Sequence, residues 1–398
     1  MPPDEKPYRV YKGGRVKGKV PSAPTRTSSS AQRSRVRAAA GGGKRTRFRG
    51  FGPIRFKLPR RPGWRRIIVL GVLGLIVLFV IWSVAGYFAL SSGVADANKR
   101  LDRRAHAALN KQSGLLLSHA TNILVLGTDN APIAGRTGDN HSDSIMLVRA
   151  DPSHHRIAYL SIPRDIVVPI PGVGSAKINF AMQSGGIPLA IRTVRSLTGL
   201  PINHVIEVNF ASFKGLIDAL GGITVVVPDA VRSNRFDCPY KTATRCQQWQ
   251  GWRFPKGAQH MNGQQALIYS RVRENLLNPR ESSDFFRASR QQAVIQATLS
   301  KFTSAGTLLG APFNAGSWVK PITTDLSTSQ LIELGWVKFR SSTANALHCR
   351  LGADLGSGGT GAPSEDNPLT IAMFLGRSAP QLPTSTFGPG CARGRPLP

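Results

Sequence analysis

The stretch from Asn122 to Asp165 reads NILVLGTDNAPIAGRTGDNHSDSIMLVRADPSHHRIAYLSIPRD. It holds three short apolar runs, Asn122–Gly127, Ser144–Arg149 and Ile157–Ile162, each bounded by turn-forming residues in the manner of a buried strand. Asp151-Pro152-Ser153-His154-His155, between the last two, is a turn. Short connections favour antiparallel neighbours. With that pairing Asp129 leaves the end of the first strand, Asp143 enters the second and Arg164 leaves the third, so all three stand on one edge of the sheet. A single Asp beside a strand is ordinary loop chemistry. Two carboxylates and a guanidinium gathered on one edge suit a divalent cation and a phosphate.

Toward the C-terminus, strand and helix patterns alternate. Ile187–Leu200 has helical spacing of apolar residues and is closed by Pro201, His204–Val208 reads as a strand, Ala211–Leu220 as an amphipathic helix stopped by Gly221-Gly222, and Ile223–Val227 as a β-branched strand. This alternation argues for an α/β fold, a central mixed sheet flanked by helices. Arg232–Gly257 is an irregular insert carrying Trp249, Trp252 and Phe254, readable as a lid, a carbohydrate-contacting lip or simple packing. Next comes GQQALIYSRVRENLLNPRESSDFFRASRQQ, residues 263–292. Its opening is helix or strand. If it is extended, Arg271 and Arg273 share one side. A helix capped by Ser282 or Ser283 puts Asp284, Arg287 and Gln291 within about 60° of one another. Arg-rich helix faces are ordinarily just solvated, but guanidinium forks from two adjacent elements suit a doubly charged phosphate. Ala288–Phe302 continues as a core helix, and Ile322–Asp325 and the helix Gln330–Phe339 pack back onto it. The catalytic-type domain is expected over 121–345, and the Gly/Pro-rich remainder, 346–398, is expected as a tail.

Toward the N-terminus, Ile67–Leu90 is a run of 24 residues without a charge. At about 1.5 Å per residue it crosses a ~30 Å hydrocarbon core with some tilt. A cleavable signal peptide is the competing reading, but the apolar run is too long and its basic preface too extended. Residues 1–66 carry 20 Lys/Arg against Asp4 and Glu5, so +18 of the net +31 lies in this arm. It is rich in Gly, Pro, Ser and Arg without apolar periodicity, and is expected to be disordered. Its charge beside the span places it in the cytoplasm and everything after Leu90 outside, with 91–120 as a stalk. Nucleic acid is not expected as a partner, because the arm has no recognisable module and its position beside the span already accounts for its charge. Four cysteines, Cys238, Cys246, Cys349 and Cys391, lie on the outer side and make no metal-binding spacing. Three pairings are open; Cys238–Cys246, closing a short loop, and Cys349–Cys391, tying down the tail, are preferred.

LVLGTD (124–129), HSDSIMLV (141–148), SIPRD (161–165), AKIN (176–179), DALGGI (218–223), YSRVR (269–273) and SSDFFRASRQQ (282–292) together, in this order, resemble the LytR-CpsA-Psr family across Thr121–Phe302. The resemblance implies an α/β/α domain with an apolar cavity for a polyprenyl chain. It implies an enzyme that moves a glycopolymer from polyprenyl pyrophosphate onto peptidoglycan at the cell membrane. Carried over by motif position, Asp129 and Asp143 would hold Mg²⁺ (or Mn²⁺). Arg164, Arg271, Arg273 and Arg287 would bind the pyrophosphate, with Asp165, Lys177, Asp284 and Gln291 in the same pocket and Arg136 in a nearby loop. Asp165 or Asp284 could take the proton of the acceptor hydroxyl, although an Asp so near arginines is better suited to pairing with them. Two other classes fit parts of the pattern: a non-catalytic envelope protein that binds the lipid-linked polymer, and a transcriptional attenuator, which would need nucleic-acid contact.

Overall fold

The computed structural model describes residues 63–129, 142–355 and 361–397. The expectations placed on residues 1–62 and on Arg136 lie outside them. Contacts divide the chain into Met1–Arg61 and Pro62–Pro398, and every element below belongs to the second unit. Helices α1 (Trp64–Asn98) and α2 (Arg103–Ala108) precede strands β1 (Thr121–Thr128), β2 (Ser142–Asp151) and β3 (Arg156–Ile162). A hairpin of β4 (Val167–Ile170) and β5 (Gly174–Lys177) leads to α3 (Phe180–Thr198), β6 (His204–Asn209), α4 (Phe210–Ala219) and β7 (Ile223–Val227). The insert contains β8 (Val231–Arg232), α5 (Ala243–Gln248) and β9 (Arg253–Phe254), followed by β10 (Gly257–Met261). Then come α6 (Gly263–Arg271), α7 (Asp284–Phe302), α8 (Ala305–Leu309), α9 (Ala311–Val319), β11 (Thr323–Thr324) and α10 (Thr328–Arg340). Last are β12 (Leu347–Arg350), β13 (Ala353–Leu355), β14 (Gly361–Pro363), α11 (Asn367–Leu375) and β15 (Gly390–Arg393).

The central sheet has the order β11-β6-β1-β2-β3-β12-β15. The meander β1–β2–β3 is antiparallel, while β6 runs parallel to β1 and β12 parallel to β3, so the sheet is mixed. Pairing of Leu124 with Leu147 and of Leu126 with Ile145 puts one set of apolar residues on one face. That face is covered by Ile191 and Val194 of α3 and by Met373 and Phe374 of α11. The alternate set, Ile123, Met146, Val148 and Tyr159, packs with Val337 and Leu334 of α10 and Ile295 and Leu299 of α7. Helices thus cover both faces, as expected for an α/β/α domain.

One expectation needs correction and one open alternative is decided. The segment 346–398 is no tail: β12 lies between β3 and β15 inside the sheet, and Cys349 bonds to Cys391 directly opposite it. Arg271 and Arg273 do not share one side of a strand, because Arg271 ends α6 and Arg273 follows its C-cap. Strand β7 pairs with β10 in a separate two-stranded sheet. Helix α3 is broken at Gly185-Gly186, where Gly186 takes φ 62°, a backbone angle that side chains disfavour, and past the break it runs from Ile187 to Thr198, close to the expected Ile187–Leu200. The Cys238–Cys246 bridge of the insert also forms.

One buried network locks α7 to the sheet. Gln292 Nε2 donates to Ser161 Oγ (2.8 Å) and to the Cys349 carbonyl (2.7 Å), while its Oε1 meets His348 Nδ1 at 3.1 Å. His348 is fully buried and stacked on Tyr159 at 4.9 Å. Burial pushes its pKa down to about 3. The unfolded chain therefore takes up a proton below pH ~6.5 that the folded chain refuses until about pH 3, so this stability is present above ~6.5 and lost as pH falls. Between pH 6.5 and 4.5 the fall attributable to this histidine steepens toward a limit of about 1.4 kcal/mol per pH unit. Urea unfolding of His348→Phe should show a shallower decline over that window than the parent chain; parallel declines would contradict the assignment.

Candidate active site

Asp143 owes its position to a β-bulge. Gly127 pairs with Ser144 and Thr128 with Ser142, so Asp143 is the extra residue at the rim of the sheet, where a bulge re-aims a side chain. Asp129 follows β1 on the same rim, and both carboxylates line one cavity. Arg164, just beyond β3, enters the same space and forms an ion pair with Asp143. Its Nε lies 3.3 Å from Asp165 and 3.6 Å from Asp284. Burial alone would lower the pKa of this guanidinium, but Asp143, Asp165 and Asp284 outweigh it and the net direction is upward. The β4–β5 hairpin brings Lys177 Nζ to 3.1 Å from Asp165. Burial opposes ionisation of Asp165, yet the hydrogen bond from Lys177 and the charge of Arg164 prevail and hold it below the usual carboxylate range.

Helix α7 starts where Ser283 caps it, accepting from Phe286 N at 3.4 Å. This fixes Asp284 at its first position, beside Arg287 Nη2 at 3.2 Å and Arg273 Nε at 3.3 Å. Asp284 thus faces three guanidinium groups. Arg287 is buried, and its Nε has no hydrogen-bond partner among the described residues. Burial lowers its pKa to about 10, so it stays charged at neutral pH. Gln291, one turn on, accepts from Ser144 Oγ at 2.9 Å. Arg271 lines the same cavity but pairs elsewhere, with Asp237 of the insert. Its guanidinium also sits 4.6 Å from the Phe210 ring and 5.5 Å from that of Phe236.

The cavity has a volume of roughly 1740 Å³. Arg287, Gln291, Val294, Ile295, Thr298, Leu299 and Phe302 of α7 line it in succession. Their spacing of three and four keeps them on one helix face. That wall turns from charged to apolar over about 22 Å, at 1.5 Å per residue. Opposite it stand Ile123 and Val125 of β1, Val148 of β2, and Ile206 and Val208 of β6. Trp318, Leu331 and Leu334 line the space from α9 and α10. The result is a cluster of cations at the sheet rim that opens into a greasy channel, a shape matched to a polyanion carrying a long apolar chain.

The LytR_cpsA_psr family profile matches residues 84–348, about two thirds of the chain. This chain belongs to that family. A relative from Bacillus cereus (strain AH820), named polyisoprenyl-teichoic acid–peptidoglycan teichoic acid transferase TagU, is 31% identical over 270 residues, covering 67% of this chain and 80% of its own. The protein of the same name from Bacillus subtilis (strain 168) is 27% identical over 278 residues, covering 68% of this chain and 79% of its own. A solved structure described as TagT bound to LI-WTA superposes with a TM-score of 0.50 at 24% identity, covering 67% of this chain and 95% of the other, and establishes likeness of fold.

In this LytR_cpsA_psr member, Asp129, Asp143, Arg164, Asp165, Lys177, Arg271, Arg273, Arg287 and Gln291 all line the one cavity, and Asp284 touches three of its arginines. Arg136 is outside the described residues. Sequence reasoning missed Asp237 and Phe236, which hold Arg271 from the insert, and Phe210 at the start of α4. No local signal links residues so far apart. Removing the charge of Asp284 leaves three guanidiniums facing one another. Asp284→Asn should therefore cost about 1–2 kcal/mol, discounted for its partial exposure, and inorganic pyrophosphate should raise the melting temperature of the variant more than that of the parent. An equal response, or none, in scanning calorimetry would contradict this.

Proposed function

We propose that the protein is a membrane-anchored transferase that moves a glycopolymer from a polyprenyl-pyrophosphate carrier onto peptidoglycan. One observation carries this reading: a single cavity joins the Arg164–Arg273–Arg287 cluster to an apolar channel along α7. The relatives' names, polyisoprenyl-teichoic acid–peptidoglycan transferases, agree with it. In this reading the acceptor hydroxyl oxygen bonds to the phosphorus that carries the sugar. The bond from that phosphorus to the bridging oxygen breaks, polyprenyl phosphate departs with the electron pair, and the hydroxyl proton passes to the departing phosphate. Such a reaction is accelerated mainly by positioning and by cations set against the growing negative charge.

Arg164 and Arg287 are best placed for that task, being half-buried and buried, with Arg287 Nε unpartnered among the described residues. Arg273 and Lys177 are more exposed and suit the outer phosphate. Asp165 and Asp284 are held in ion pairs with arginine or lysine, so their role is to orient those cations. Asp129 and Asp143 offer hard oxygen donors on one rim, the donor set by which Mg²⁺ is held together with substrate phosphates. Bound there, Mg²⁺ (or Mn²⁺) would neutralise phosphate charge.

Helix α1 fits the anchor. It spans 35 residues, its most apolar window has a mean hydropathy of 3.0, and none of that window is buried against the rest of the protein. The basic run before Ile67 then sets the cytoplasmic side and puts the cavity outside the cell membrane. With the purified full-length protein and a polyprenyl-pyrophosphate-linked donor, release of polyprenyl phosphate should fall at least ~100-fold in Arg164→Ala and in Arg287→Ala, and EDTA should stop it. Near-parental rates in both variants would overturn the reading; turnover indifferent to EDTA would remove the cation from it.

A further inference from the structure

The cavity has a second mouth, away from the arginines. Tyr87, Leu308, Ile332, Trp336 and Phe339 all line it, and each is between 44% and 62% exposed. A side chain that both lines a cavity and meets solvent stands at its opening. This opening is framed by α1, α8 and α10, and it is apolar. Beside it, Leu309 at the end of α8 and Phe313 on α9 are 70% and 86% exposed. Trp336 and Phe339 stack on each other at 5.8 Å. Large apolar side chains grouped in this way mark a binding surface.

The level of this surface along α1 can be read from the helix itself. Trp64 begins the helix, and Trp82 and Tyr87 follow after apolar residues. Aromatic residues of this kind sit at the two membrane–water interfaces. The eighteen residues from Trp64 to Trp82 rise about 27 Å, close to a hydrocarbon core of ~30 Å. The outer interface therefore falls at Trp82–Tyr87. Trp82 Nε1 donates to the Leu309 carbonyl at 3.1 Å, so the end of α8 lies at that depth. The helix cannot easily swing away. A Cβ on Gly93 would come within 2.8 Å of Gly316 Cα, so α1 and α9 pack backbone to backbone, and Val94 and Ala97 are buried against the domain.

We propose that the rim formed by Leu309, Phe313, Trp336 and Phe339 is immersed in the outer leaflet of the bilayer, and that the second mouth is a side door through which a polyprenyl chain enters from the membrane. The proposal rests on the transferase reading and on α1 as the anchor. The door would let the chain slide from lipid into the channel without crossing water, while the diphosphate stays at the level of the headgroups and above, toward Arg164 and Arg287.

All four cysteines are in disulfides, so a single introduced cysteine takes an environment-sensitive fluorophore specifically. Full-length protein would be reconstituted into phosphatidylglycerol–phosphatidylcholine vesicles containing nitroxide lipid labelled near the headgroup. Labels on Phe313→Cys and Trp336→Cys should be quenched at least twofold, and one on Lys256→Cys should not. A label on Leu75→Cys, at mid-bilayer, is read in parallel vesicles whose nitroxide sits at the end of the acyl chain, and reports on the anchor alone. Quenching at Leu75→Cys with none at Phe313→Cys and Trp336→Cys overturns the proposal while the anchor stands. No quenching at Leu75→Cys overturns both. Phe313→Glu should then lower transfer from vesicle-borne long-chain donor at least tenfold while leaving the rate with detergent-dispersed donor unchanged; equal rates in vesicles overturn the door.

Discussion

Three guanidinium groups converge on one aspartate. Arg164, Arg273 and Arg287 come from a loop after β3, the segment after α6 and the first turn of α7, and left to their own charges they would repel one another. Asp284 holds them together, at the position where Ser283 starts the helix. Asp143 and Asp165 complete the arrangement from the rim of the sheet by pairing with Arg164. The site is therefore close to neutral as built, and a ligand carrying several negative charges meets donors already aimed inward. Preorganisation of this kind is what gives a polar site its strength in a partly dry cavity.

The same helix carries the polarity of the cavity. Arg287 and Gln291 stand at its charged end and Leu299 and Phe302 at its apolar end. Its register is set from the sheet, because Gln292 is hydrogen-bonded to Ser161 and to the carbonyl of Cys349. Consecutive glutamines thus divide the work, Gln291 facing the cavity and Gln292 locking the helix to β3 and β12. The disulfide between Cys349 and Cys391 joins the two last strands of the sheet and supports the site indirectly through that lock.

Much of this was legible in the amino-acid order. Three apolar runs with short connections were enough to place Asp129, Asp143 and Arg164 on one rim, and the spacing of Asp284, Arg287 and Gln291 was enough to put them on one helix face. The bulge that turns Asp143 into the cavity was not legible, since it depends on the register between two strands. Ala266–Tyr269 fits helix or strand equally from its own residues, because a short apolar run suits either. Asn262 and Gln265, three apart, form a capping box in the structure, and that pair is the local signal that distinguishes the helix. Strands β12 and β15 are not legible for another reason. LHCR and GCAR are only four residues long and neither is a run of large apolar residues, so only their neighbours in the sheet make them strands. The partners of Arg271 in the insert are joined to it by tertiary contact alone.

The central claim is that one ligand occupies both halves of the cavity, its diphosphate at the arginines and its chain along α7. A polyprenyl pyrophosphate with a photoreactive group at the far end of the chain tests it directly. After irradiation and peptide mapping, the crosslinks should fall on Phe302, Trp318, Leu331 or Leu334, and excess inorganic pyrophosphate should reduce them. Crosslinks confined to the rim near Arg164, or scattered over the surface and insensitive to pyrophosphate, would contradict the account.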